Sequence, residues 1–437
     1  MRRKFRIAAA AFAALTTVAA LAGCGGSSAT SSATSSETTL QLWMSGDCKA
    51  DGSCLNRQLA EAFTKANPSI KIDIISQPTD SYQTSLQAAS VTGRGPDLAT
   101  VFGGSYLTQI AKYTADAKKW VAQKDLESSV GAEFFAENSN IANRLYAVPV
   151  DSQWYSGFYN KKILAANGFD SPPQNWDELY AMCEKLKANG VLPIVEGKQD
   201  SSAQFQPLYE WSYLAAALPL TDWNGLYNGT MPYDNPTLQS QLDKWHGLFA
   251  KGYINKDAFN NPDTLDQFYS GKAAMMLGGG SWLVPDMEKK MGADVGVLAP
   301  PYLDSGKKSI VQFAGAGIAA MQYGKHLDEA GKFLAFVLSN DGQKVIADSG
   351  VPGSRPGSAP KGSALFDTLV NLSTQPGTTT YPMFDNLSQG PVTDVIYRTA
   401  AQVLVGQTSS QDALKAMDAA VKALPAEQRN IDYKLGS

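Results

Sequence analysis

Histidine is nearly missing from this 437-residue sequence. His246 and His326 are the only two, and they lie far apart in the chain. A histidine-built metal site or a Ser-His-Asp arrangement has almost nothing to be made from. There is no Walker-type loop, no nucleotide-binding GxGxxG and no nucleophile elbow. No metal and no cofactor is therefore expected. After residue 24 no apolar run is long enough to span a bilayer. Charged residues are also scarce, at 18%.

Cysteine is rare as well, with four in all. Cys48 and Cys54 enclose a short polar loop, DCKADGSC. In an exported chain such a close pair reads as a disulfide, and zinc would need further ligands that are not nearby. Cys183 recurs with Trp176, Leu179 and Leu186 at helical spacing. It reads as a buried apolar residue.

What the chain does have begins at its N-terminus. Arg2, Arg3, Lys4 and Arg6 precede an apolar, alanine-rich run from Ile7 to Leu21. Leu21-Ala22-Gly23-Cys24 follows. A basic start, a short apolar stretch and small residues at a cut site make an export signal rather than a membrane span. The LAGC tetrapeptide resembles a bacterial lipobox, which would make Cys24 the first mature residue and the carrier of lipid. Residues 1–23 would be the signal peptide. Residues 24–38 hold the GGSSATSSATSSET tract, which has nothing apolar to bury and reads as a flexible tether.

Roughly 400 residues remain, more than one hydrophobic core usually serves, so two lobes are expected. Without the four basic residues of the signal, the formal charge of −4 becomes about −8. That argues against nucleic acid and against electrostatic binding to anionic lipid. Aromatics are plentiful, with 8 Trp, 18 Tyr and 17 Phe. This balance suits a neutral ligand that stacks and hydrogen-bonds, and equally a large core.

Thr39–Met44 reads as a strand, Leu55–Ala66 as a helix, Ile70–Ile75 as a strand, Tyr82–Ala89 as a helix and Leu98–Phe102 as a buried strand. This β-α-β-α-β order implies a parallel sheet with helices on its faces. Sites on such sheets lie beyond the carboxyl ends of strands. Helices are also expected over Trp176–Lys187, Phe205–Ala217, Thr237–Phe249, Asp328–Leu338, Gln343–Ala347 and Gln411–Leu424. In Phe268–Trp282, FYSGKAAMMLGGGSW, a helix end and a turn at Gly271 lead to a strand at Ala273–Leu277. Three glycines follow, then a tryptophan. Consecutive glycines there cost backbone entropy and are justified where the chain turns sharply or approaches something closely. Trp282 just beyond them is well placed to wall a cleft.

Several stretches taken in order resemble the extracellular solute-binding proteins of ABC transporters, in the family that includes maltose-binding protein. They are Leu42–Asp47 (LWMSGD), Gly93–Leu98 (GRGPDL), Tyr146–Pro149 with Tyr159-Asn160-Lys161, Pro173–Leu179 (PQNWDEL), Gly271–Trp282, Gly315–Ala320 and Phe333–Gly350. The likeness covers nearly all of residues 39–425. It implies an α/β fold of two lobes, each a sheet flanked by helices, joined by crossover segments with the ligand in the cleft between. On that pattern one lobe is 39–150 plus 315–354 and the other 151–314 plus 355–437. It implies a protein that is not an enzyme and works as a monomer. It would be held by lipid at the outer face of a cell membrane lacking a retaining outer membrane, as in Gram-positive bacteria. Its partners would be a carbohydrate, permease subunits and a separate ATPase.

By the resemblance, Asp47 matches a position whose carboxylate binds a sugar hydroxyl, Gln153 a polar ligand position and Trp282 a stacking tryptophan. The sequence departs from maltose-binding protein at Phe102-Gly103-Gly104-Ser105-Tyr106, which replaces a Trp and a charged pair. It departs again in the Cys48–Cys54 loop. A sugar offers apolar ring faces and a rim of hydroxyls, so it needs aromatic plates and planar polar groups. Candidate plates are Trp43, Phe102, Tyr106, Trp154, Tyr155, Phe205 and Trp282. Candidate polar groups are Asp47, Ser105, Asp151, Gln153, Gln204, Gln312 and Arg355. Trp154 and Tyr155 point to opposite sides of an extended strand, so at most one faces the cleft. An oligosaccharide is favoured over a monosaccharide because the aromatic candidates are many. Two alternatives stay open. One is a non-sugar solute on the same fold, a polyamine, peptide or metal. The other, more remote, is a surface glycosidase using two carboxylates.

Overall fold

The computed structural model describes residues 37–46, 48, 54–197, 206–430 and 432–435. The folded body starts with β1 (Thr38–Ser45), whose alternate residues Leu40, Leu42 and Met44 are buried while Gln41 is exposed. β2 (Ile70–Gln77) and β3 (Leu98–Val101) flank it, both parallel to it. The helix Leu55–Ala66 between β1 and β2 buries Leu59, Ala60 and Phe63, one stripe at helical spacing. Phe63 meets the rings of Phe333 and Phe336 at 5.2 and 5.6 Å, which docks this helix on the helix Leu327–Leu338. Cys48 and Cys54 are joined by a disulfide.

This first sheet is not wholly parallel. β4 (Val148–Pro149) and β11 (Gly317–Ala320) complete the order β2-β1-β3-β11-β4, and β11 runs antiparallel to both neighbours. The β-α-β rule orients only strands joined locally over a helix. β11 returns from the other lobe, so it enters the sheet from the opposite end.

The second lobe holds two sheets. One is β7 (Leu192–Ile194), β8 (Ala273–Met276), β6 (Gly157–Asn160) and β9 (Val295–Leu298), in that order. The other is β12 (Thr378–Tyr381), β10 (Lys308–Ala314) and β5 (Ser152–Tyr155). Much of the aromatic content goes into the core here. Trp211, Trp223 and Trp245 are fully buried, and Trp176 stacks on Tyr302 at 4.6 Å. Cys183 is a free, buried thiol in the same core, and burial pushes its pKa up. Two long helices, Gly390–Leu404 and Ser410–Ala423, pack together over this lobe.

Three segments pass between the lobes side by side. β4 runs into β5 through Val150–Asp151, and β10 runs into β11 through Gly315–Ala316. The third is Pro352–Arg355. Val150 N donates to Ala316 O at 2.9 Å, Ser152 N to Pro352 O at 2.9 Å and Ser354 N to Val150 O at 3.1 Å. The crossing is therefore stitched by backbone hydrogen bonds. No helix among the described residues is long and apolar enough to cross a membrane.

Candidate functional site

A cavity of about 330 Å³ lies between the lobes, over the crossing segments. It sits at the carboxyl ends of β1 and β3, where open α/β sheets place ligands. The first lobe supplies Ser45 from the end of β1 and Phe102 from just past β3. It adds Thr79, Tyr82 and Gln83 from the helix Thr79–Thr92, and Tyr106. β5, β10 and the crossing between β10 and β11 supply Gln153, Phe313 and Gly315 in turn. The second lobe supplies Tyr155, Leu208, Tyr209 and Trp282, and three late residues, Met383, Asp385 and Tyr397.

Four rings from four different stretches form one wall. Tyr155 lies 4.8 Å from Phe313 and 5.2 Å from Tyr209, centroid to centroid. Trp282 meets Tyr209 at 5.1 Å and Tyr155 at 6.1 Å, both edge to face, as the ring quadrupoles prefer. The glycine run explains the pose of the tryptophan. A Cβ on Gly280 would stand 2.0 Å from the Trp282 ring, so only glycine lets that ring lie over the chain. On the opposite side Phe102 and Tyr106 pair edge to face at 6.4 Å. Gln83 Nε2 donates to Tyr106 O at 2.9 Å. The hydroxyls of Tyr106 and Tyr397 lie 3.5 Å apart, so the two lobes touch at this end of the cavity.

Two carboxyl groups matter here, and they differ. Asp385, in the helical turn Phe384–Leu387, lines the cavity and is buried. It accepts from the Tyr155 hydroxyl at 3.1 Å. Burial raises its pKa to about 6, and the Tyr155 bond offsets only part of that. The same burial, with Asp385 beside it, pushes the Tyr155 phenol well up. Asp151, at the crossing, does not line the cavity. Its carboxylate accepts from Ala316 N at 3.0 Å and from Gln153 Nε2. Burial raises its pKa against those bonds. Asp151 thus aims Gln153, which does line the cavity. Gly315 makes room, since a Cβ there would meet Gln153 Cδ at 2.4 Å and Asp151 Oδ2 at 2.8 Å.

Of the residues picked out in sequence, Phe102, Tyr106, Gln153, Tyr155 and Trp282 come together around the cavity. The others are elsewhere. Trp154 faces the opposite side of β5 from Tyr155, is buried, and donates to Ser373 Oγ at 2.7 Å. Trp43 packs against the first lobe's core. Ser105 is buried and borders a separate cavity beside the first. Gln312 turns away from the cleft, as alternation on β10 requires once Phe313 faces in, and donates to Ser152 Oγ at 3.0 Å. Arg355 donates to Leu338 O at 2.9 Å and faces Asp125 at 3.4 Å, pinning the third crossing. Asp47, Gln204, Phe205 and Cys24 lie outside the described residues.

The lining residues not expected from the sequence are of three kinds, the first being Thr79, Tyr82 and Gln83 on the helix Thr79–Thr92. Ser45, Tyr209 and Phe313 lie within four positions of Trp43, Phe205 and Gln312; Phe313 is on the opposite face of β10 from Gln312, whereas Ser45 shares its face of β1 with Trp43. Met383, Asp385 and Tyr397 lie in a region that carried no motif. Tyr397 lies on the helix Gly390–Leu404, whose apolar periodicity marks a helix and not a site, and Met383 and Asp385 precede it in a short turn with no pattern of their own.

Comparison with known proteins agrees with this geometry. The family model described as bacterial extracellular solute-binding protein matches residues 55–344. The sn-glycerol-3-phosphate-binding periplasmic protein of Shigella dysenteriae is 25% identical over 325 residues, 69% of this chain and 70% of that protein. The multiple sugar-binding protein of Streptococcus mutans is 21% identical over 299 residues, 65% of this chain and 67% of that one. Among solved structures, a chitin oligosaccharide binding protein superposes with a TM-score of 0.73 at 20% identity, covering 88% of this chain and 98% of its own. That likeness shows the two-lobed fold. With the cleft, the crossings and the matched span in agreement, this chain belongs to the bacterial extracellular solute-binding proteins.

Proposed function

We propose that the protein captures a sugar, an oligosaccharide, between its lobes and delivers it to the permease subunits of an ABC importer. The observation that carries this reading is the cavity's chemistry. Rings from both lobes face it, and a few amide, hydroxyl and carboxyl groups are set among them. Ring faces suit the C–H faces of a pyranose, and Gln83, Gln153 and Asp385 suit its hydroxyls. A sugar touching both walls favours the closed arrangement of the lobes, because binding selects the state with more contacts. The relative from Streptococcus mutans is a sugar-binding protein and the solved neighbour binds chitin oligosaccharide, which supports the sugar class. The glycerol-phosphate relative points to an anion instead. Against it, the described lining residues include no lysine or arginine to meet a phosphate. Hydrolysis of a glycoside uses two carboxylates, and Asp385 is the one carboxylate among the described lining residues, which supports binding rather than catalysis. Cys24 would carry the lipid that holds the protein at the outer face of the membrane.

The test is a thermal-shift screen of the protein from Ser27 onward against mono- and oligosaccharides, sn-glycerol-3-phosphate, amino acids and polyamines. A ligand that binds only the folded state raises the melting temperature. A shift with one oligosaccharide class, reduced at least tenfold in affinity by Trp282→Ala, supports the reading. Losing one stacked indole face removes about 1.5–3 kcal/mol of burial. Shifts with glycerol phosphate or amino acids and none with sugars reject the sugar. Shortening of an added oligosaccharide by pure protein rejects a purely binding role.

A further inference from the structure

The described residues lining the cavity include no lysine, arginine or histidine, and one carboxylate, Asp385. That carboxylate is only 3% exposed. Its side-chain partner is a phenol, Tyr155, at 3.1 Å from Oδ1 and 3.4 Å from Oδ2. The other titratable groups acting with it are also tyrosines, Tyr106, Tyr227 and Tyr397, each shifted upward and neutral at physiological pH. Asp394, which also acts on Tyr106, adds negative charge rather than positive. A buried carboxylate without a cation is costly, and nothing on the described walls supplies that cation. The walls themselves are aromatic, and ring faces attract cations.

On the reading that the ligand is a sugar, we propose that the unit seated against Asp385 carries a protonated amine, so that the cleft is selective for an amino sugar. A hydroxyl can donate a hydrogen bond to the carboxylate but leaves its charge unbalanced. An ammonium group on the ring does both, with rings of Tyr155, Tyr397 and Tyr209 close by. An N-acetyl group has neither the charge nor the size to replace it.

The experiment is calorimetric titration at pH 7 with matched glucose- and galactose-type mono- and oligosaccharides. Each is used in its hydroxyl, amino and N-acetylamino form, with spermidine as a free-amine control. The expected result is an amino form that binds at least tenfold tighter than its two counterparts. In Asp385→Asn, which still melts cooperatively, the ratio of amino-sugar to hydroxyl-sugar affinity is expected to fall to about one, whatever the absolute affinities. The advantage also shrinks in the wild type as pH falls through about 6, where Asp385 takes up a proton. Equal or weaker binding of the amino forms, or no binding of them at all, overturns the amine proposal. If hydroxyl or N-acetyl sugars bind in that case, the sugar reading stands. Binding of spermidine with no sugar of any form overturns both. The wild-type comparison needs no variant, so a misfolded substitution cannot mask the answer.

Discussion

Asp385 is held where an unliganded fold gains nothing from its charge. Its pKa is raised from 3.8 to about 6, chiefly by burial. A carboxyl raised on folding binds its proton more tightly in the native state, so native stability falls as pH rises through that window. The change is on the order of 3 kcal/mol at most. Urea melts of the unliganded protein at pH 4.5 and pH 7.5 should show the wild type losing more stability than Asp385→Asn, and the variant should be the more stable at pH 7.5. Identical pH dependence in the two proteins would rule this out. A residue that weakens the empty protein and lines its cleft is the usual signature of a group kept for its ligand. Five of the cleft residues were legible in sequence. Phe102 directly follows β3 and Tyr155 ends β5, Tyr106 and Trp282 lie on the glycine-containing turns after β3 and β8, and Gln153 lies at the start of β5 next to a crossing. Such positions read as cleft positions because strand ends point there. Asp385 has no such marker. It is one aspartate in a short helical turn, and only its surroundings distinguish it.

At the scale of elements, local chemistry explains most boundaries. The helix Leu55–Ala66 stops where Asn67-Pro68 cannot continue it. The helix starting at Trp176 is capped by Asn175, whose Oδ1 accepts from Glu178 N at 3.1 Å while Glu178 reaches back to Asn175. The Cys48–Cys54 pair closes a short loop between β1 and the first helix. A loop of that size contributes about 2 kcal/mol by limiting the unfolded chain. Cys48→Ser with Cys54→Ser should lower the urea-unfolding free energy by about that amount and leave the fold intact. A loss of zero would show that the bridge constrains nothing in the unfolded state. Some boundaries have their cause outside the element. The stretch Gln312–Ala320 is two strands in two different sheets. The break falls at Gly315–Ala316, because that is where the chain passes between lobes.

For the whole molecule, the crossing segments set how the walls meet. Gly315 sits at the crossing and on the cavity, tight against Gln153 and Asp151. Gly315→Val should push Gln153 out of place and prop the lobes apart. Small-angle scattering is expected to show the wild type compacting when a bound sugar is added, while the variant keeps its unliganded dimensions at the same ligand concentration. Equal compaction in both would remove the crossing from the account of closure. The chain's own order of residues determined the class of fold, the first lobe's parallel strands, the buried Cys183 and the tryptophan after the glycine run. Each follows from periodicity, from turn residues or from the cost of exposing apolar surface, all local properties. Only the tertiary structure decided which face of β5 and β10 meets the cleft. It also brought Asp385 and Tyr397 to a wall begun more than 200 residues earlier by Tyr155. Burial and charge balance belong to a residue's neighbours in space, and those neighbours are set by packing, not by spacing along the chain.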